Sequence, residues 1–130
     1  MTIVYIIIAI VGFFLSMQFF MILKMRLRKG KPAPDLSGKA GRMVQQGERV
    51  LFYFYSPSCR ACRAMTPIVE KMAKKNKNVI KVDVSRDVAM ARKFGVMGTP
   101  STVLVEGGTI KEFLVGAQTE GRLMSLLQKA

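Results

Sequence analysis

Histidine and tryptophan are absent from this chain of 130 residues, and cysteine occurs only twice. Acidic side chains are scarce too: eight stand against twenty-one Lys and Arg, for a formal net charge of +13. Each shortage excludes something. Without histidine, no imidazole can serve as a general base or a metal ligand. A structural zinc site normally takes four Cys or His ligands, and this chain supplies two. Such a site would need a second copy of the chain, so neither a metal nor a cofactor is expected. The basic excess raises nucleic acid as a partner. No zinc spacing and no surface motif of interleaved basic and aromatic residues accompanies it, so nucleic acid is not expected either.

What the chain has in excess is apolar sequence at one end. Residues 3–23 read IVYIIIAIVGFFLSMQFFMIL, with no charge and with Ser16 and Gln18 as the clearly polar side chains. As a helix, this run is about 31 Å long, the thickness of a bilayer's hydrocarbon core. A helix satisfies its own backbone, so it can span. A signal peptide wants a basic start, a shorter apolar run and a small-residue cleavage site. The chain opens MTIVY without Lys or Arg, and the run ends in KMRLRKGK. A retained transmembrane helix is expected, with a cleaved signal or a buried core helix as rivals. Gly12 and Ser16 form a small-xxx-small pair, a weak signal for helix packing.

Lys24, Arg26, Arg28, Lys29 and Lys31 crowd the C-terminal flank of this run. The positive-inside rule then puts the N-terminus outside and the rest of the chain in the cytoplasm. The alternative is an extracytoplasmic or periplasmic domain. The basic flank 24–31 sits where anionic headgroups attract each Lys or Arg by about 1 kcal/mol.

The chain divides into a transmembrane helix (1–23), a basic juxtamembrane linker with a possible short helix (24–47), and a folded domain (48–130). In the linker, KGKPAPDL has two prolines, which favour an extended, stiff spacer. SGKAGRMVQQ reads as a short helix capped by Ser37 and ended by Gly47. In the domain, RVLFYFY (49–55) is a continuous β-prone run, suited to a strand buried on both faces. Helical spacing follows from Cys59, gathering Ala61, Met65, Ile68, Val69 and Met72 on one side. NVIKVDV (78–84) is a second strand, and residues 86–94 a short helix stopped by Gly95. STVLVE and TIKEFLV around Gly107-Gly108 make a hairpin. Residues 118–128 close with a helix whose core side chains would be Leu123, Met124, Leu126 and Leu127. The pattern is α/β: a mixed sheet covered by helices.

The two cysteines lie in SPSCRACRAMTP (56–67), between a strand and a helix. A helix start has unpaired N–H groups and a positive dipole end. Both favour a thiolate at Cys59, and Arg60 and Arg63 push the same way. A thiolate attacks disulfides, and Cys62, one turn on, can resolve the mixed disulfide. A permanent staple over so short a loop would add little stability. Two inert core cysteines beside two arginines remain the other alternative.

Several separated features together resemble the thioredoxin family, from about Gly47 to the end. VLFYFYSPSCRACRAMTP resembles the strand leading into the redox motif. Pro67, five residues after the second cysteine, matches that family's helix-kinking proline. KFGVMGTPS resembles the segment ending in its cis-proline, here Pro100 after Thr99. VEGGTIKEFLVGA resembles the closing hairpin and its Gly-Ala. The resemblance implies a thioredoxin fold behind the N-terminal transmembrane helix, with Cys59 attacking and Cys62 resolving. It implies that Thr99 pairs its backbone to an extended substrate. Ser58, Arg60, Ala61, Met97, Gly98, Gly116 and Ala117 would surround it as a substrate surface, although the glycines fit plain turn chemistry equally well.

Departures accompany the resemblance. Ser58 stands where thioredoxins usually carry Trp, and Arg60-Ala61 replace the usual Gly-Pro. The buried acid six residues before the first cysteine is replaced by Tyr53, while its usual lysine partner corresponds to Lys81. Tyrosine is a poor base near neutral pH. Proton transfer to or from Cys62 would then use water, Lys81 or another group, with Tyr53 and Arg63 as further candidates for tuning the thiols. Asp83 shares a strand face with Lys81. GKPAPDL also resembles the lead-in of membrane-tethered reductases of the cytochrome-maturation type, but residues 62–100 leave no room for that group's insertion. The expected function is a membrane-tethered thiol–disulfide oxidoreductase, acting as a reductase. Its partners would be protein disulfide substrates and an upstream dithiol donor. A redox-inert binding module at the membrane and an extracytoplasmic oxidase or isomerase are the alternatives.

Overall fold

The computed structural model describes residues 1–128, so the last two residues of the domain expected over 48–130 lie outside the described residues. Along the chain run α1 (Thr2–Arg26), α2 (Gly38–Gln45), β1 (Val50–Tyr55), α3 (Cys62–Lys75), β2 (Val79–Asp83), α4 (Val88–Phe94), β3 (Ser101–Glu106), β4 (Thr109–Val115) and α5 (Glu120–Gln128). The strands form one sheet in the order β2-β1-β3-β4. β1 pairs parallel with β2 and antiparallel with β3, and β3 pairs antiparallel with β4, so the sheet is mixed.

β1 is central because its sequence suits no other place. Successive side chains of a strand point to opposite faces. Val50, Phe52 and Phe54 face one apolar layer and Leu51 and Tyr53 the other, all of them at most 1% exposed. On the first face Phe94 packs against Phe52 and Phe54 at ring distances of 4.9 and 5.3 Å, with Val103, Val105 and Phe113 beside them. On the second face α3 lays down Met65, Val69 and Met72, at i, i+4 and i+7, and α5 adds Leu123 and Leu126. Each large apolar side chain buried this way stabilises the fold by about 1.5–3 kcal/mol. Ala61, expected in this stripe, is exposed because the helix begins after it.

Local chemistry sets the boundaries. Asp87 caps α4 by accepting the Met90 N–H at 3.1 Å, and Gly95 ends it in the left-handed conformation, φ 72°. Gly107 and Gly108 both have positive φ (61° and 74°), the geometry of a two-residue hairpin turn. Ser37 flanks α2 as expected but makes no side-chain capping bond.

The segment between α1 and α2 was expected to be extended throughout; residues 27–30 instead turn, through the bonds of Arg28 to Met25 and Lys29 to Arg26, and the segment does not stand free in solvent. It lies along the outer edge of β4. Gly30 N–H donates to the Ile110 carbonyl (2.7 Å), Ile110 N–H to Lys31 (2.9 Å), and Ala33 N–H to Gly108 (2.8 Å). Pro32 sits opposite Thr109. Both prolines lack an N–H, but Ala33 between them and Gly30 before them supply the donors that a sheet edge needs. The last turns of α1 rest against β4, and Met25 is buried in the first apolar layer.

Candidate active site

Where β1 ends, residues 56–61 turn tightly before α3 begins at Cys62. Cys59 N–H donates to the Ser56 carbonyl at 3.1 Å, and Arg63 N–H to Arg60 at 3.2 Å. The helix was expected to start at Cys59. These turn bonds delay it by three residues, so Cys59 lies in the turn that leads into it. The electrostatic consequence survives. The Cys62 N–H, one of the helix's first donors, points at the Cys59 Sγ at 3.2 Å. A negative sulfur there would be met by an N–H group and by the positive end of the helix dipole.

Cys59 and Cys62 are joined as a disulfide with their Cα atoms 5.3 Å apart. Their exposures differ. Cys62 is 1% exposed, whereas Cys59 is half-buried and reachable from solvent. Around them Ser58, Arg60, Ala61 and Arg63 are exposed. The Ser58 hydroxyl shares a hydrogen bond of 3.0 Å with that of Ser56.

The Thr99–Pro100 peptide bond is cis, and Pro100 is buried. Ser101 pairs opposite Phe54, so Pro100 lies at the end of the sheet where β1 gives way to the cysteine turn. The Ser101 hydroxyl donates to the Gly98 carbonyl at 2.7 Å, and Gly116 N–H to the Pro100 carbonyl at 2.8 Å. Gly98, Pro100 and Gly116 are thereby tied together, with Ala117 exposed next to them. A groove of about 470 Å³ runs alongside, lined by Ser56, Met97, Gly98 and Thr99 and, less expectedly, by Val84, Val88 and Val96. Val88 is 48% exposed, a large apolar side chain on the surface. From sequence it reads as a helix residue; only the fold turns it toward the groove.

Tyr53 is fully buried behind Cys62. Its hydroxyl shares a 2.9 Å hydrogen bond with Thr66 and lies 3.4 Å from the Cys62 carbonyl, to which it can donate. Burial pushes the phenol above its ordinary pKa, and the Thr66 bond only partly offsets this. The phenol therefore stays protonated through neutral pH. Lys81, a candidate for proton transfer, has its ammonium 2.9 Å from Glu70 and 5.7 Å from the centre of the Tyr55 ring. That hydrogen bond holds the Glu70 carboxyl below its usual range. Glu70 is a partner that sequence could not supply, because it lies across the helix–strand gap. Asp83 instead accepts from the hydroxyl and N–H of Ser85, and the hydroxyl bond lowers its pKa. No hydrogen bond joins Asp83 to Lys81 among the described residues. Thr102, paired opposite Tyr53, has a buried hydroxyl with no hydrogen-bond partner among them.

Residues 40–129 match the family model described as Thioredoxin. The chain belongs to the thioredoxin family. It is 31% identical over 85 residues to the bifunctional thioredoxin reductase/thioredoxin of Mycobacterium leprae, covering 63% of this chain and only 19% of that protein. With the thioredoxin of Bacillus subtilis it shares 29% identity over 83 residues, 62% of this chain and 80% of the relative. A solved mutant thioredoxin from Halobacterium salinarum superposes with a TM-score of 0.60 at 32% identity, covering 76% of this chain and 94% of that one. The sheet and its helices are thus a thioredoxin fold, and thioredoxin relatives support thiol–disulfide exchange as the class of activity. The family match begins after α1, which is long and apolar enough to cross a membrane.

Proposed function

We propose that this thioredoxin-family chain is a membrane-anchored oxidoreductase that reduces protein disulfides through Cys59 and Cys62. The supporting observation is the unequal pair: a reachable Cys59 in the turn before α3, bridged to a buried Cys62, at the same end of the sheet as the cis-proline. The Cys59 thiolate attacks one sulfur of a substrate disulfide and displaces the other as a thiolate, which takes a proton from solvent. Cys62, losing its proton, attacks the Cys59 sulfur of the mixed disulfide. The second substrate thiol leaves, and the Cys59–Cys62 disulfide holds the oxidation. Two electrons have moved to the substrate, and an upstream dithiol donor returns them. The Thr99 backbone would pair with the extended substrate, and Ser58, Arg60, Ala61, Met97, Gly98, Gly116 and Ala117 would border it.

On the anchor reading, α1 spans the bilayer with the N-terminus outside. Lys24, Arg26, Arg28, Lys29 and Lys31 then keep the domain on the cytoplasmic face. Ambient thiols there favour the reduced dithiol. Arg60 works in the other direction, since by favouring the thiolate it makes the disulfide more oxidising than a neutral dipeptide would. The test is a trapping pair. Cys62→Ser should accumulate mixed disulfides with protein substrates, and Cys59→Ser should trap none. If the parent fails to reduce insulin and Cys62→Ser traps nothing, the domain is a binding module and this proposal is wrong. A reporter fused to the C-terminus decides the face of the membrane independently.

A further inference from the structure

The tether has a direction along the sheet. Read backwards from Ala33, the chain climbs the outer edge of β4: Ala33 bonds Gly108 at the hairpin tip, Lys31 and Gly30 bond Ile110, and Lys29 reaches Glu112 at 3.1 Å. One residue earlier, the Arg28 guanidinium lies over Gly95. Gly95 follows Phe94, whose ring packs between Phe52 and Phe54. Phe54 is opposite Ser101, so this level is the redox end of the sheet, next to Pro100. Met25 and Met21, one helical turn apart, face the domain as buried and half-buried residues, and residues 1–20 are exposed. The last residues of α1 therefore meet the domain in the half that carries Cys59, away from the hairpin tip.

The same end has the charge to meet a bilayer. Arg60, Arg63 and Arg92 are exposed there. Arg86, also exposed, lies 3.9 Å from Asp83; Asp83 and Asp87, the two acids at this end, are outnumbered by the four arginines. Anionic headgroups attract such side chains. Beside them the groove of Val84, Val88, Val96 and Met97 offers an apolar wall.

We infer that the redox face formed by Cys59, Met97 and Pro100 is held toward the headgroup layer. Its substrate is a disulfide in the juxtamembrane segment of another membrane protein, not one in a freely diffusing protein. This rests on reading α1 as the membrane anchor and on the proposed redox chemistry. The lack of tryptophan makes the orientation measurable, because one introduced Trp has no background. Full-length Met97→Trp, Val88→Trp and Lys77→Trp are each reconstituted in phosphatidylcholine–phosphatidylglycerol vesicles containing headgroup spin-labelled lipid. Met97 and Val88 report the redox end, and Lys77, just before β2, the opposite one. Trp at 97 and at 88 should lose fluorescence to the quencher, while Trp at 77 keeps it. Equal quenching, or quenching of 77 alone, overturns the orientation. With the parent chain in the same vesicles, reduction of a lipid-anchored disulfide peptide should slow as its spacer is lengthened, and a rate that rises with spacer length overturns the substrate assignment. Protein that does not float with the vesicles sinks the anchor reading and this inference with it. No reduction at any spacer, with the quenching pattern intact, overturns the redox reading and the substrate assignment together, leaving only the orientation.

Discussion

Tyr53 occupies the position behind Cys62 where a proton acceptor could have stood. It is bonded to Thr66 and to the Cys62 carbonyl, with no carboxylate in its place. Its burial keeps the phenol neutral, and Lys81 is held by Glu70. On the proposed mechanism, water is then the expected acceptor of the Cys62 proton. Tyr53→Phe should leave the single-turnover rate of disulfide reduction almost unchanged, as stopped-flow kinetics would show. It should cost about 1 kcal/mol of stability in urea, because Thr66 loses its partner. The pH dependence follows from the raised pKa. The folded state holds the phenol proton more tightly than the unfolded one. Its contribution is complete below the ordinary value of about 10 and is lost as pH rises through the raised value. Between about 10 and that raised value, the stability of Tyr53→Phe should fall less steeply than that of the parent. At Cys59, alkylation of the reduced protein should show a midpoint below the free-thiol value of about 8.5, and Arg60→Glu should raise it.

At the scale of elements, α4 shows what a short helix needs at each end. Gly95 has φ 72°, and a Cβ placed there would come within 2.6 Å of the Arg28 guanidinium. Gly95→Ala should cost about 1–2 kcal/mol from the left-handed backbone alone. Asp87→Ala, which loses the cap bond to Met90, should cost about 1 kcal/mol. Denaturant titration of both checks the pair. If Gly95→Ala is neutral, residue 95 does not hold the left-handed conformation in solution. The elements that could be read from sequence were those whose local chemistry and burial agree. β1 is apolar on both faces and sits in mid-sheet, and paired glycines between β-prone runs make the hairpin of β3 and β4. The sulfurs and Pro100 were legible because their spacing and neighbours form a pattern. The start of α3 was misplaced by three residues, since a turn closed by Cys59 N–H and Ser56 has the same residue types as a first helical turn. The Lys81–Glu70 pair and the groove wall of Val84 and Val88 were invisible, because each needs elements distant in sequence to meet.

At the scale of the whole molecule, the prolines of KPAP suggest an extended, stiff spacer, and backbone bonds to β4 lay part of it along the sheet edge and join α1 to the domain. The Lys29–Glu112 pair contributes little, with the lysine side chain 58% exposed. The joint depends on the bonds of Gly30, Lys31 and Ala33 and on Met25, 1% exposed in the apolar layer with Phe94 and Phe113. Met25→Ala removes that anchor, and a buried Met→Ala typically costs about 2–5 kcal/mol. The loss should open the seam before it unfolds the sheet. Hydrogen exchange on the full chain reads this directly. In the parent, the amides of Gly30, Ala33 and Ile110 should exchange slowly. In Met25→Ala they should exchange faster, while those of Phe52 and Val103 in the sheet centre stay protected. If the parent's Gly30 and Ala33 amides already exchange at unprotected rates, the redox domain swings on a loose tether. On the anchor reading, α1 would then no longer set which way Cys59 faces.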